Sequence, residues 1–502
     1  MRRRILLVAL FTFFISGLLI AEINLSKTKA VSYDSSGTTI GGTISEDTTW
    51  TFENSPYFLV DTVTVATGAT LTIEPGVTVD IDFWALKVEG TLHAVGNETH
   101  RIKFQAREKP LTGNVRIYFT DSSTPWNEDT ETGCIIEYAE IDLYCGGGYG
   151  VRGGSPKISH NLMLFSGCDA GIIASGNSIV SNNTIVINGY RGIVTEGNAS
   201  VLYNIIVGGA SSPAVGIGVG GDLPIIVGNL ITYVHGFSTG DMTGYAGIAF
   251  YDGKPFITNN TILDCVRALG FPPYLDPTGL NQTKINYNNL YGDVVVGKED
   301  PRITINLTYN WWGTTNTSLI DEKIYDQKDD RKLCLVNYLP ILSSPAIAPL
   351  NITRIQISSL SQEPEQNEVE PYQEVTVRAN VTDQIVGVGD VTLCYSVNGG
   401  ATWNYSNVIY NETLGLYESV IPGQPENTVA KYYVVASDKF HNHYAYWPDQ
   451  GDFLQPVYCV YTVIPEFPQP IILLLFAFIT LIATILLKKK ARPKSPPQFS
   501  LK

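Results

Sequence analysis

SPKISHNLML (155–164), NSIVSNNTIV (177–186) and ASVLYNIIV (199–207) state one phrase three times: an apolar strand, an asparagine, one residue, then another apolar residue. LPIIVGNLI (223–231), KPFITNNTIL (254–263) and TKINYNNLY (283–291) repeat it. The shared asparagines are read as Asn161, Asn183, Asn204, Asn229, Asn260 and Asn289, with gaps of 22, 21, 25, 31 and 29 residues, and Asn310 follows. A second marker keeps step: Gly150, Gly171, Gly192, Gly216 and Gly247, each 11 to 13 residues ahead of its asparagine. Two markers locked in phase over so many periods describe a solenoid, not a globular mixed fold.

The period also selects the kind of solenoid. Each repeat holds β-branched stretches broken by Gly, Asn, Ser or Pro, and none shows helical spacing of apolar residues. About 21 residues suffice for three short strands and three turns, one coil of a parallel β-helix, with coils stacked at a strand spacing of roughly 4.8 Å. The asparagine then recurs at one corner, where each amide can donate to one neighbour and accept from the other. Asn also tolerates the left-handed backbone of a sharp corner. Pairs such as Ile158/Met163, Ile179/Ile185 and Ile257/Ile262 are expected to fill the interior.

On these repeats the chain resembles the right-handed β-helix proteins of the pectate-lyase-like superfamily, which includes lyases, hydrolases and many microbial surface proteins. TGATLTIEPGVTVDIDFWALKVEGTLHAVG (67–96) resembles their opening coils, and YNWWGTTNTSLIDEKIYDQKDD (309–330) a frequent closing stretch. The resemblance spans roughly 38–342 and implies a fold rather than an activity. Trp311-Trp312, in that closing stretch, is expected to plug the last coil.

The ends of the chain point outside the cell. Met1-Arg-Arg-Arg and the apolar run to Ala21 read as a signal peptide over 1–21. Ile471–Leu487 carries no charge and would span about 26 Å as a helix. With Lys488, Lys489, Lys490 and Arg492 behind it, 467–487 is expected to be a membrane anchor and 488–502 a cytoplasmic tail. Pro465, Glu466 and Phe467 resemble the Pro-Glu-Phe sorting signal of archaeal surface proteins, which implies processing by a sortase-like enzyme. The chain's net charge is −15, and its ends are basic, so the body between them is more acidic still. Such a body repels nucleic acid, which is excluded as a partner. Asn-x-Ser/Thr acceptors outside the repeats, Asn351, Asn380, Asn404 and Asn411, suit a surface glycoprotein.

After Pro349 the rhythm stops. Residues 351–463 hold separate alternating strands with turn signals every 8–12 residues, the pattern of a β-sandwich. VTLCYSVNGGATW (391–403) and KYYVVASDKFHN (431–442) resemble immunoglobulin- or fibronectin-like modules, which implies a spacer that lifts the β-helix off the membrane. Of seven cysteines, Cys145 and Cys168 stand 23 apart, close to one coil, and could form a disulfide; Cys394 and Cys459 could pair within the sandwich. The expected fold class is therefore all-β: a right-handed parallel β-helix, a β-sandwich and a C-terminal transmembrane helix.

Irregular spacing marks where a site could lie. Insertions at 235–245 and 270–282 would flank one face of the prism. Tyr233, Tyr245, Tyr251, Phe271 and Tyr274 supply aromatic surface beside Asp241, the mixture that holds sugars, with Arg191 and Arg267 on the floor. A lyase or epimerase would need carboxylates for calcium and a basic residue to remove a proton; Asp252, Asp264 and Arg267 are the candidates, although no motif fixes them. Asp321, Asp326, Asp329 and Asp330 are weak calcium candidates in the closing segment. No other cofactor is expected. A copper-accessory role is a further alternative, disfavoured by six His and three Met scattered over 502 residues. The reading is a non-catalytic, membrane-anchored surface protein that binds polysaccharide or neighbouring surface proteins, with a carbohydrate-active enzyme as the alternative.

Overall fold

The computed structural model describes residues 37–108, 115–209, 215–236, 245–276, 279–280, 283–347, 353–441, 443–448, 457–465 and 469–490. The signal peptide, the basic tail from 491, Asp241, Asn351, Glu466 and Phe467 lie outside the described residues.

From Thr38 to Asn337 the chain winds as coils of parallel strands, the arrangement of a parallel β-helix. One coil runs Leu162–Ser166, Ala170–Ala174, Ile179–Ser181. The next runs Thr184–Asn188, Arg191–Thr195, Ser200–Leu202. Each strand pairs in parallel with its successor: Leu162 with Thr184, Ala170 with Arg191, Ile179 with Ser200. This gives three faces, called here first, second and third in that order. The third is a sheet of ten strands.

Register sends one column of aliphatic side chains inward from each face. Ile158, Val180, Val201, Ile226, Ile257 and Ile285 line the third; Met163, Ile185, Ile206, Ile231, Ile262 and Leu290 the first; Ile172, Ile193, Ile217, Ile248, Leu269 and Val294 the second. All are buried, and each side chain contributes roughly 1.5–3 kcal/mol of apolar burial. Ile179 is a correction: it faces outward and Val180 takes the interior place. The glycine marker belongs to the same packing. A Cβ on Gly171 would stand 2.4 Å from Phe165 Cδ2, and one on Gly192 2.5 Å from Ile187 Cδ1. Glycine is needed there because the neighbouring face fills the space.

The asparagines form a buried ladder. Asn161 Nδ2 donates to Asn183 Oδ1 at 3.0 Å, Asn183 to Asn204 at 3.0 Å, Asn204 to Asn229 at 3.0 Å and Asn229 to Asn260 at 2.9 Å. Asn260 then donates to Asn288 at 3.0 Å, and Asn288 to Asn310 at 3.1 Å. Asn289 is therefore misplaced in the sequence reading. It faces outward, donating to Thr261 Oγ1 and to the carbonyl of Ile347. The left-handed corner residue is the one before each rung, with φ of 55° at His160, 54° at Asn182 and 55° at Tyr203.

A disulfide between Cys145 and Cys168 ties adjacent coils. Trp312 is buried edge-on to Tyr338 at 5.9 Å, with Ile320 of the short helix Thr317–Asp321 beside it in the core. These cover the last coil, which would otherwise present an open strand edge.

Beyond residue 353 two antiparallel sheets share one core that includes Val375, Val377, Leu393, Ile421, Tyr432 and Val434. Cys394 and Cys459 are not bonded: Cys394 pairs with Tyr433 and Cys459 with Tyr432, on opposite flanks of the strand Val429–Asp438. This unit docks on the first face. Val386 packs on Leu164 and Val186, Lys439 Nζ meets Glu140 Oε2 at 2.5 Å, and Arg354 donates to the Gly208 carbonyl at 2.8 Å.

A helix spans Gln469–Lys490, with exposed apolar side chains over 473–487. Among the described residues no helix is long and apolar enough to cross a membrane.

Candidate functional site

The second face carries the aromatic residues, which with their neighbours bury most of its outward rows. Its outward rows are set by register: Ala170, Arg191, Val215 and Ala246 in one, and Val194, Gly218, Ala249 and Gly270 in the other. Small side chains in the second row make room for rings to lie on the sheet. A Cβ at Gly218 would stand 2.7 Å from Tyr251 Cε2, so that ring rests against the backbone. Val215 and Ala249 form one apolar cluster with Tyr245 and Tyr251.

Around this floor Tyr251 stacks with Tyr274 at 6.1 Å and 28° between planes, while Tyr190 meets Tyr245 edge-on at 6.0 Å. Tyr274 is 66% exposed, so its ring is available to a ligand. Arg191 pairs with Asp169, lies 5.6 Å from the Tyr190 ring centroid and bonds the Tyr251 side chain. Burial pushes the Tyr251 phenol up to about 12 even though Arg191 acts to lower it. Burial likewise raises Tyr190. Both phenols therefore stay protonated at neutral pH, as hydroxyls that donate and accept.

At the corner beyond Tyr251 lies a cleft of about 550 Å³, lined by Asp222, Leu223, Asp252, Lys254 and Asp276 and by the backbones of Gly221, Gly253 and Gly279. Stacked glycines keep this corner thin: a Cβ on Gly253 would fall 1.8 Å from the Gly221 carbonyl oxygen. Asp252 Oδ1 accepts from the Gly221 N–H at 2.7 Å, and the Asp276 N–H donates to the Tyr251 carbonyl at 3.2 Å. Ring faces beside a polar cleft suit a ligand with alternating apolar and hydroxyl-bearing surfaces.

Of the residues singled out from sequence, Tyr245, Tyr251 and Tyr274 come together here. Phe271 does not: it is fully buried, stacked on Phe250 at 4.5 Å, because it shares the inward parity of Leu269. Tyr233 lies elsewhere as well, 3.3 Å beneath the Arg354 guanidinium at the contact with the second unit. Tyr190 and Asp169 were missed. Tyr190 directly precedes Arg191, a position that the marker glycines alone did not single out.

The candidate catalytic residues do not converge. Arg267 begins a strand in register with Ala246–Phe250, whereas Asp252 lies past that strand's far end. Six residues at 3.3 Å each separate them by roughly 20 Å. Arg267 faces Asp293 and donates to the Tyr245 carbonyl at 3.5 Å. Asp264 sits in a left-handed turn, φ 51°, where its carbonyl meets His235 Nε2 at 2.5 Å.

The closing-segment carboxylates are likewise engaged. Buried Asp326 accepts from the N–H groups of Lys328 at 2.8 Å and Val336 at 2.7 Å. Asp329 accepts from Asp326 N–H, Asp330 from Lys332 N–H, and Asp321 pairs with Lys328 at 2.6 Å. Among the described residues no group of three or more His, Cys, Asp or Glu is placed to hold a metal ion.

No family model matches the chain. A stretch of 82 residues, 16% of this chain, is 39% identical to the protein bark beetle of Drosophila melanogaster. The match spans 3% of that protein's length, so the likeness is to a small part of a much larger chain.

Proposed function

We propose that this protein is a non-catalytic cell-surface scaffold that binds polysaccharide along the second face of its coil stack. The observation that carries the reading is the Tyr251–Tyr274 stack, half-buried Tyr251 on a floor of small residues with exposed Tyr274 beside it, opening onto the cleft of Asp222, Asp252 and Asp276. The separation of Asp252 from Arg267 speaks against lyase or epimerase chemistry, which needs acid, base and substrate within hydrogen-bond reach.

The resemblance to the pectate-lyase-like superfamily supports a right-handed coil, and that to immunoglobulin-like modules a supporting role for residues 351–463. The basic-flanked apolar segments at both ends support secretion and anchoring through 467–487, with Pro465-Glu466-Phe467 as a sorting signal. In this reading the acceptors Asn351, Asn380, Asn404 and Asn411 carry glycans; Asn380, Asn404 and Asn411 lie on strands of the second unit, the last two at edges of its sheets.

The test is calorimetric titration of the full chain in detergent with short neutral oligosaccharides. A central aromatic contact contributes about 2 kcal/mol or more, so Tyr251→Ala is expected to weaken binding about 30-fold. Binding unchanged in Tyr251→Ala and Tyr274→Ala would refute the proposed site.

A further inference from the structure

The outward face of the five-stranded sheet in the second unit is rich in aromatic residues. Register sets Tyr405, Cys394 and Tyr433 opposite one another across three strands. Tyr458 stands next to Tyr433, ring centroids 6.1 Å apart, directly before the strand Cys459–Thr462 that pairs from the other side. Trp403 closes the group, 5.2 Å from Tyr433 and 5.0 Å from Tyr458. The neighbouring row holds Asn407, Thr392, Val435 and Tyr446.

These rings are not core. Alternate residues of the same strands, Leu393, Tyr432, Val434 and Tyr461, face the other sheet and supply the core. Cys394 points outward yet is only 1% exposed, because Tyr405, Tyr433 and Tyr446 surround it. Tyr405 is 68% exposed. The outer face of an antiparallel sheet ordinarily carries polar residues, and an exposed aromatic patch marks a place of contact. The β-helix does not cover it, since docking there uses Val386, Lys439 and Arg354.

We propose that this face is a second glycan-binding surface, for a neutral polysaccharide laid across the strands over Trp403, Tyr405, Tyr433 and Tyr458. The chemistry selects this occupant. Phenol hydroxyls and the polar groups of Asn407 and Thr392 lie among the rings, so apolar sugar faces and hydroxyls both find partners. The rows described contain no Leu, Met, Phe or Arg, the anchors expected beside Tyr and Trp in a protein interface. Lys431, bonded to the Gly399 carbonyl at 3.1 Å and 5.7 Å from the Tyr458 ring centroid, is a nearby cation already engaged, and the chain's charge of −15 disfavours an acidic polymer.

The inference shares a ligand class with the proposed function but not a site, so the two can fail separately. The experiment is affinity electrophoresis of the full chain in detergent, made without glycosylation, through gels containing a soluble β-glucan, a mannan or a galactan. Exposed Tyr405 and Tyr446 are replaced together by Ala, with thermal unfolding as the control on folding; Trp403→Phe is a milder second variant. The expected result is that at least one polymer retards the wild type, that Tyr405→Ala/Tyr446→Ala loses at least tenfold in affinity with unfolding unchanged, and that Tyr251→Ala still binds that polymer. Retardation of the variants equal to wild type, or no retardation of the wild type by any neutral polymer, overturns the inference. Short-oligosaccharide titration at Tyr251 then decides the β-helix site independently.

Discussion

Replacing Asn204 by Ala tests the ladder where it is continuous on both sides. Its Nδ2 donates to Asn229 Oδ1 at 3.0 Å and to the Val180 carbonyl at 2.9 Å. Its Oδ1 accepts from the backbone N–H and the Nδ2 of Asn183, both at 3.0 Å. Truncation removes four hydrogen bonds in a site only 1% exposed, and leaves the Asn183 N–H without the partner it has here. At about 1 kcal/mol net for each of three bonds, with about 1–3 kcal/mol for the orphaned buried donor of the fourth, the loss should be about 4–6 kcal/mol. Asn289→Ala is the comparison: it removes three hydrogen bonds, to Thr261 and residues 346–347, the last two only part-buried and open to replacement by water, and should cost about 2–3 kcal/mol. Urea unfolding followed by near-ultraviolet circular dichroism reads both variants. Equal midpoint shifts for the two, or a larger shift for Asn289→Ala, would refute the reasoning.

Other perturbations follow from the same geometry. Gly171→Ala forces a Cβ to 2.4 Å from the Phe165 ring and should cost about 1–3 kcal/mol, read as a lower unfolding midpoint. Gly218→Ala pushes on the outer Tyr251 ring instead, so oligosaccharide affinity should fall while the midpoint holds. Burial raises the Asp142 carboxyl above its ordinary value, so its stabilising effect is complete below about pH 4 and is lost as pH rises through the folded-state pKa. Asp142→Asn should therefore flatten the fall in melting temperature between pH 4 and 7; an unchanged pH slope would remove Asp142 as its source. Reducing Cys145–Cys168, a closure of 23 residues, should destabilise by about 3 kcal/mol, measured as the shift in urea midpoint with reductant.

The coil was legible because its two markers have separate physical causes, each imposed once per turn. The asparagine satisfies buried backbone groups at one corner, and the glycine yields space to Phe165, Ile187 and their equivalents. Errors arose where two neighbours competed for one place. In Asn288-Asn289-Leu290 the phrase of asparagine, one residue and apolar residue selects Asn288, whereas tracking the asparagine nearest the apolar residue picks Asn289. Phe271 looked available because it leads into an insertion, but strand parity with Leu269 sends it inside. Tyr233 could not be placed, since docking of the second unit is not periodic and leaves no repeat in the sequence. The aromatic sheet face was hidden for a related reason: KYYVV (431–435) has apolar or aromatic residues at both parities, and only register separates Tyr433 from the core residue Tyr432.

Hydrogen exchange of the full chain with and without a saturating neutral oligosaccharide examines the tyrosine platform most directly. The account predicts slowed exchange in 215–219, 246–253 and 272–276, with little change on the first face. Slowing confined to other segments, or none at saturation, would contradict it.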